Sequence, residues 1–217
     1  MRFVPIEFAS WPRRETFWYF SKQAPTGWSM TTRVEITGLR EKLRTAGLRF
    51  MPVYLWLVTS CLNRQEEFRI AYRDETLGVY DTLTPLYAVF HEDDHTFSLL
   101  WTEYRADLRE FCRLYEEDLS AYGANHGILA RKDALPPPNA YTVSCLPWEP
   151  FDHFAVHSYG NGDYFFPSVE SGRIVSGNGR EYLPLSITCH HATTDGWHVH
   201  RFLEDLRAEI AGLTASL

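Results

Sequence analysis

The apolar positions of the chain follow two periods in turn. Leu108, Phe111, Cys112, Tyr115 and Leu119 recur at helical spacing over residues 107–122, and Val199, Phe202, Leu203, Leu206 and Ile210 do so over residues 197–206 and on toward Leu213. Residues three and four apart share a helix face, so both segments predict amphipathic helices with one side in a core. Residues 53–62 are apolar almost throughout and follow Pro52, which suits a first helical turn. That run is far short of the ~20 residues needed to cross a bilayer, so a buried helix is predicted. Thr37 is placed to cap a helix over residues 38–46 that Gly47 ends. Residues 11–20, with Pro12 in the first turn, predict a short helix whose apolar side is Phe17, Trp18 and Phe20.

Elsewhere the runs are short, rich in β-branched and aromatic residues, and separated by Gly, Pro or charged residues. They predict strands at residues 29–36, 68–73, 77–81, 86–91, 96–104, 141–146, 154–157, 164–169 and 183–189, after a first short one at the N-terminus. The Gly-rich residues 172–179 lack the spacing of a phosphate cradle and read as a hairpin loop. Residues 136–138 are three prolines, too short a punctuation to divide the chain. A single domain spanning residues 1–217 is expected.

Composition narrows the classes. The 217 residues suffice for one domain with a substantial core, and seven tryptophans and a 15% aromatic share leave a surplus for ligand walls or subunit contacts. The net charge of -7 and the lack of a Lys/Arg block argue against nucleic acid. The N-terminus has no long apolar core of the signal-peptide type, and no stretch is long enough for a membrane span, so a soluble, cytoplasmic protein is expected. Cys61, Cys112, Cys145 and Cys189 are widely spaced, which reads as free thiols without a disulfide framework, zinc ribbon or cysteine nucleophile.

Candidate chemistry concentrates in Leu185-Ser-Ile-Thr-Cys-His-His-Ala-Thr-Thr-Asp-Gly-Trp-His-Val-His200. A histidine at the end of a buried strand, with a carboxylate four residues on, can be held rigid as a general base. His190, His191, His198 and His200 lack the spacing of a zinc cluster, so no metal is expected there. Neighbouring strand residues face opposite ways, so only one of His190 and His191 would look into a given pocket.

The segment HHATTDGWHV resembles the H-H-x-x-x-D-G signature of chloramphenicol acetyltransferases, which dihydrolipoamide acyltransferases and condensation domains share in looser form. The likeness runs in order through WPRRETFWYF, EITGLREKLRTAGLRFMPVYLWLV, VFHEDDHTFSLLWTEY and VSCLPWEPFDHF to the final helix, nearly the whole chain. It implies an α/β (α+β) fold, a two-layer sandwich with a mixed β-sheet and helices on one side, of the coenzyme-A-dependent acyltransferase type. It implies acetyl-CoA as co-substrate, a small-molecule hydroxyl acceptor, no metal, and a homotrimer with active sites between subunits. The expected activity is O-acetylation of chloramphenicol, an antibiotic-resistance function.

By position, the resemblance makes His191 the general base and Ser144 the donor to the oxyanion. Asp195 and Arg13 become a structural ion pair, so Arg13 is expected to be buried where a surface arginine would be the default. Phe20, Thr26, Phe97, Leu99, Ile128 and Val156 fall at acceptor-pocket positions, and Trp148 and Arg173 along the coenzyme A channel. Glu170 stands where the family often has a threonine near the intermediate. A carboxylate there is unfavourable beside a developing oxyanion unless protonated or turned away. Glu170 and the altered pocket keep open a different hydroxyl acceptor. A dihydrolipoamide acyltransferase core and a non-catalytic ligand-binding or assembly protein are the remaining alternatives. Joint retention of His191, Asp195, Arg13 and Ser144 argues against the latter.

Overall fold

The computed structural model describes residues 1–157 and 163–217. In chain order these fold as β1 (Phe3–Pro5), α1 (Arg14–Trp18) running into a π-helical turn (Tyr19–Gln23), β2 (Gly27–Glu35), α2 (Leu39–Thr45), α3 (Phe50–Leu62), a 3-10 turn (Glu66–Arg69), β3 (Ile70–Arg73), β4 (Thr76–Tyr80), β5 (Thr84–Phe90), β6 (Phe97–Trp101), α4 (Leu108–Tyr122), β7 (Ala140–Leu146), β8 (Ser168–Gly172), β9 (Val175–Gly177), β10 (Arg180–His190) and α5 (Gly196–Ser216). The larger sheet has the order β2-β10-β8-β7-β5-β6, with β9 hairpinned onto β10. It is mixed, because β7 lies parallel to both β5 and β8 while the other pairs are antiparallel. The smaller sheet is β1-β4-β3.

Strand register explains the layering. Leu100, Tyr87, Val143, Val169, Ile187 and Met30 are cross-strand partners in one continuous row. Register partners share a face, and this row packs into the core with Leu39, Val53, Phe111 and Phe202 of α2 to α5. One residue along, the other face carries Ser144, Glu170, Ser186 and Thr31 in register, with Leu99 and Ala88 paired beyond them. The sheet is therefore apolar toward the helices and polar on the reverse. Together these layers make the mixed α/β sandwich. No single helix among the described residues is long and apolar enough to cross a membrane.

Local chemistry modifies several expectations. Pro12 lies in the turn before α1, whose first residue is Arg14. Thr37 does not cap α2: Gly38 takes the cap position at φ 79°, a left-handed conformation that favours glycine. The Thr37 hydroxyl instead bonds the Glu35 carboxylate and the Glu181 N–H. Asp107 does cap α4, accepting from Glu110 N–H. Residues 154–157 alternate like a strand but form none. They cross the polar face of the sheet, where Phe154 N–H bonds Thr31 Oγ1 and Val156 N–H approaches Thr188 Oγ1 at 3.4 Å. Likewise residues 164–167 are irregular, and β8 starts only at Ser168. Cys61, Cys112 and Cys189 are buried free thiols, and burial pushes them up to about 12, about 11 and about 12 respectively, leaving each protonated at neutral pH.

Gly78 lets β1 close on β4: a Cβ there would lie 2.4 Å from Phe3 and 2.6 Å from the Val4 carbonyl. Gly78→Ala should lose about 1–3 kcal/mol of unfolding free energy in urea titrations, as overpacked sites do. Gly177→Ala, with nothing within 4 Å, should stay within about 0.5 kcal/mol of wild type. Equal behaviour of the two variants would refute this account of the small sheet.

Candidate active site

The strand β10 ends at His190 because the chain turns there and spends its backbone groups locally. The His190 carbonyl accepts the N–H groups of Thr193 and Thr194, each at 3.2 Å, and is approached by both threonine hydroxyls. Two residues on, Asp195 becomes the N-cap of α5: its side chain accepts from Trp197 N–H at 3.0 Å, while its own N–H donates to His198 Nδ1 at 3.1 Å. His198 Nδ1 also lies 3.0 Å from Asp195 Oδ1, and its Nε2 is 3.5 Å from Glu67. Hydrogen bonding from His198 in turn holds the Glu67 carboxyl below its ordinary range. Residues 191–195 are a tight strand-to-helix turn with its backbone fixed at both ends.

Arg13 locks that turn from the far end of the sequence. Its Nε donates to the Ala192 carbonyl at 3.0 Å, one terminal nitrogen to Asp195 Oδ2 at 3.0 Å, and the other to the His191 carbonyl at 3.3 Å. The side chain is 17% exposed, so Arg13 is partly buried where full burial was expected. Partial burial works against the Asp195 carboxylate, but hydrogen bonds from Arg13 and Trp197 and the nearby His198 outweigh it and hold the group below its usual range. Arg13 is itself delivered by α1, because Phe17 is buried against Trp11, Tyr72 and Phe165 in a cluster that also contains Ala192.

The His191 ring follows from this frame. The backbone N–H of His191 bonds the Thr26 carbonyl at 2.8 Å, the ring stacks on Phe20 with centroids 4.2 Å apart, and Trp28 meets it edge-on at 6.2 Å. Nδ1 lies 3.1 Å from the Thr194 carbonyl, which can only accept. The neutral ring therefore carries its proton on Nδ1 and keeps the Nε2 lone pair for a substrate. His190 is different: Nδ1 accepts from Ala192 N–H, the ring meets Phe165 edge-on at 4.9 Å, and burial lowers its pKa. His200 lies exposed on α5.

The other candidate residues lie at several places on the fold. Phe20 and Thr26 surround His191. Ser144 and Leu99 lie on the polar face of the sheet, with Phe97 two residues from Leu99 on β6 and Ile128 bonded to Leu99 through its carbonyl at 2.8 Å. Phe97 and Ile128 are more than half exposed. Trp148 stacks edge-on with Phe90 at 4.7 Å, and Arg173 N–H bonds the Glu149 carbonyl, so these two exposed residues share one corner. Val156 is near Thr188. Ser144 is two strands and four residues from His190, which at strand spacings is about 16 Å. Within one chain, His191 and Ser144 do not meet.

The sequence profile described as chloramphenicol acetyltransferase matches residues 1–207. A relative of that name from Vibrio anguillarum is 36% identical over 214 residues, 98% of this chain and 96% of its own, and another from Clostridioides difficile is 38% identical over 95% of each chain. The chain belongs to the chloramphenicol acetyltransferase family. A solved chloramphenicol acetyltransferase shares the fold at a TM-score of 0.82 and 23% identity, covering 95% of this chain and 99% of its own. The dihydrolipoamide acetyltransferase of Azotobacter vinelandii shares it more distantly, at 0.65 and 18% over 98% and 97% of the two chains.

Within this family member, sequence reasoning left out the Thr194 carbonyl that sets the His191 tautomer and the His198–Glu67 brace beneath Asp195. A backbone acceptor leaves no side-chain signature, while the i, i+3 spacing of Asp195 and His198 at a helix start was a usable capping signal. Glu170 does reach the polar face beside Ser144. It is 1% exposed, accepts from Ser168 Oγ, and has a buried Oε2 without a partner among the described residues. Burial raises its pKa from 4.5 to about 7, against the lowering effect of Ser168. The folded chain thus binds this proton more tightly than the unfolded one. The associated stability is complete below about pH 4.5 and lost as pH rises through 7, a swing of about 3 kcal/mol. Glu170→Gln should accordingly match wild type near pH 5 and exceed it at pH 8.5 in parallel urea titrations. A stability difference independent of pH would refute the buried, protonated carboxyl.

Proposed function

We propose that the chain acetylates a hydroxyl of chloramphenicol with acetyl-CoA, working in the cytoplasm where acetyl-CoA is available. The observation that carries this reading is the His191 ring, fixed through Nδ1 to the Thr194 carbonyl with Nε2 left as a base. An alcohol of high pKa attacks well only if its proton leaves in the same step. Nε2 takes that proton as the acceptor oxygen attacks the thioester carbonyl carbon. The tetrahedral oxyanion receives the Ser144 hydroxyl proton as a hydrogen bond, and collapse expels the coenzyme A thiolate, which recovers the proton from the imidazolium. No covalent enzyme intermediate is needed. Phe20 and Thr26 wall the base, and Trp148 with Arg173 lies along the coenzyme A path.

The separation of about 16 Å between Ser144 and the end of β10 supports active sites between subunits of a homotrimer. His191, Phe20 and Thr26 of one copy would meet Ser144, Phe97, Leu99 and Ile128 of the next. Glu170 beside Ser144 favours a second reading, in which the natural acceptor is another alcohol.

A thiol-release assay with acetyl-CoA and chloramphenicol tests the first reading, and turnover only with other alcohols would favour the second. His191→Ala should lower turnover by about 100- to 10,000-fold with the assembly intact; wild-type rates would remove His191 from the base role. Ser144→Ala should lower turnover by about 100- to 1,000-fold. When the two inactive variants are unfolded and refolded together, about a quarter of sites should regain both groups and the corresponding activity, since heterologous ring contacts pair unlike residues. A mixture no more active than its components would defeat the shared site.

A further inference from the structure

Away from His191, the β5–β6 hairpin and the loop after α4 bring together His91, Asp93 and His126. One ligand-type atom from each lies within 4.8 Å of the other two. His91 is 6% exposed, whereas Asp93 and His126 face solvent. Neighbouring oxygens set the tautomers of both rings. Ser98 Oγ donates its single hydrogen to the Asn125 carbonyl at 2.7 Å, so toward His91 Nε2, 2.8 Å away, it can only accept. His91 therefore carries its proton on Nε2 and presents a lone pair at Nδ1. His126 Nδ1 lies 2.9 Å from Asp94 Oδ2 and donates to it, so the neutral ring has its lone pair on Nε2. Asp94 is itself fixed by Thr96, whose N–H and hydroxyl both bond Oδ1.

His126 Nε2 points at Asp93 Oδ2 from 3.4 Å. With the ring neutral, two electron-pair donors face each other there, an arrangement that a cation between them, a metal ion or a proton, would relieve. Ligand atoms about 2.1 Å from a tetrahedral zinc ion stand about 3.4 Å apart, so this pair already has the spacing of two corners. The third corner needs a small movement, because the His126 ring now stacks on His91 with centroids 4.0 Å apart and planes 16° from parallel. His126 and Asp93 are both exposed, so their side chains are the ones placed to make that movement. A metal-ligating imidazole usually gives its other N–H to an oxygen, and Ser98 and Asp94 provide one for each ring.

We propose that His91, Asp93 and His126 form a binding site for a divalent cation of the zinc type, with solvent completing the coordination. The site lies at the hairpin that leads into Phe97, and neither Ser144 nor His191 belongs to it. Nitrogen and carboxylate donors in this ratio suit zinc, cobalt or nickel better than calcium or magnesium.

The test uses the full-length protein after dialysis against chelator, with zinc competed against a chromophoric indicator and cobalt followed by its visible ligand-field bands. One metal per chain is expected, with affinity at least about tenfold weaker in His126→Leu and in Asp93→Asn, and about 10- to 100-fold weaker in Asp94→Asn. His200→Ala should leave binding unchanged, and thermal melting should show each variant folded. Binding that survives His126→Leu and Asp93→Asn, or none at metal concentrations on the order of 1 mM, would overturn the site. The cation between Asp93 and Asp94 would then be the His126 imidazolium itself.

Discussion

The geometry of the candidate site depends on one guanidinium. Arg13 reaches across more than 170 residues of sequence and spends all three nitrogens on a five-residue turn, one on a carboxylate and two on carbonyls. A planar fork with fixed donor directions can satisfy three acceptors at once, which an ammonium cannot do with the same rigidity. Because the arginine is mostly out of water, removing Asp195 would leave a poorly solvated charge, and removing Arg13 would orphan two carbonyls besides the carboxylate. The ion pair is thus better understood as the fastener between the small sheet, whose aromatic cluster holds α1, and the end of β10.

The division of labour across the large sheet follows from strand alternation. Odd-numbered positions of β7, β8 and β10, such as Val143, Val169 and Ile187, meet the helices, while Ser144, Glu170 and Ser186 look the other way. A polar face on a central sheet is costly unless something hydrogen-bonds it. Part is covered by residues 154–156 of the same chain, and part, toward Leu99 and Phe97, stays open. His191 follows one end of β10 and Ser144 lies two strands away, so under the proposed roles the base and the oxyanion donor of one site would come from different copies of the chain.

Much of this was legible in the sequence. Helical spacing located α4 and α5, the uninterrupted apolar run located α3, and the resemblance placed His191, Asp195 and Arg13, which the fold brings into one cluster. What escaped depends on contacts that periodicity does not encode. Residues 154–157 alternate because one side of an irregular segment lies on the sheet, which imitates a strand. Thr37 looked like a cap, but the left-handed Gly38 displaced it and freed its hydroxyl for Glu181. The environment of Glu170 needed the β7–β8 register, since nothing near it in sequence reveals that Ser144 is its neighbour. Thr194 acts through its backbone, and the identity of a side chain does not announce that.

The partner chosen for His191 also shapes the chemistry. A carbonyl accepts the Nδ1 proton and orients the ring without adding a net negative charge beside the imidazole. The carboxylate four residues on has its charge taken up by Arg13 and by the start of α5. The site therefore separates orientation from electrostatics. The ring is aimed by backbone, the backbone is fastened by the ion pair, and the acidic group beside Ser144 on the polar face of the sheet, Glu170, is one that burial keeps largely protonated below neutral pH. A protonated carboxyl next to Ser144 can donate a hydrogen bond toward a developing oxyanion, whereas its anion would oppose it.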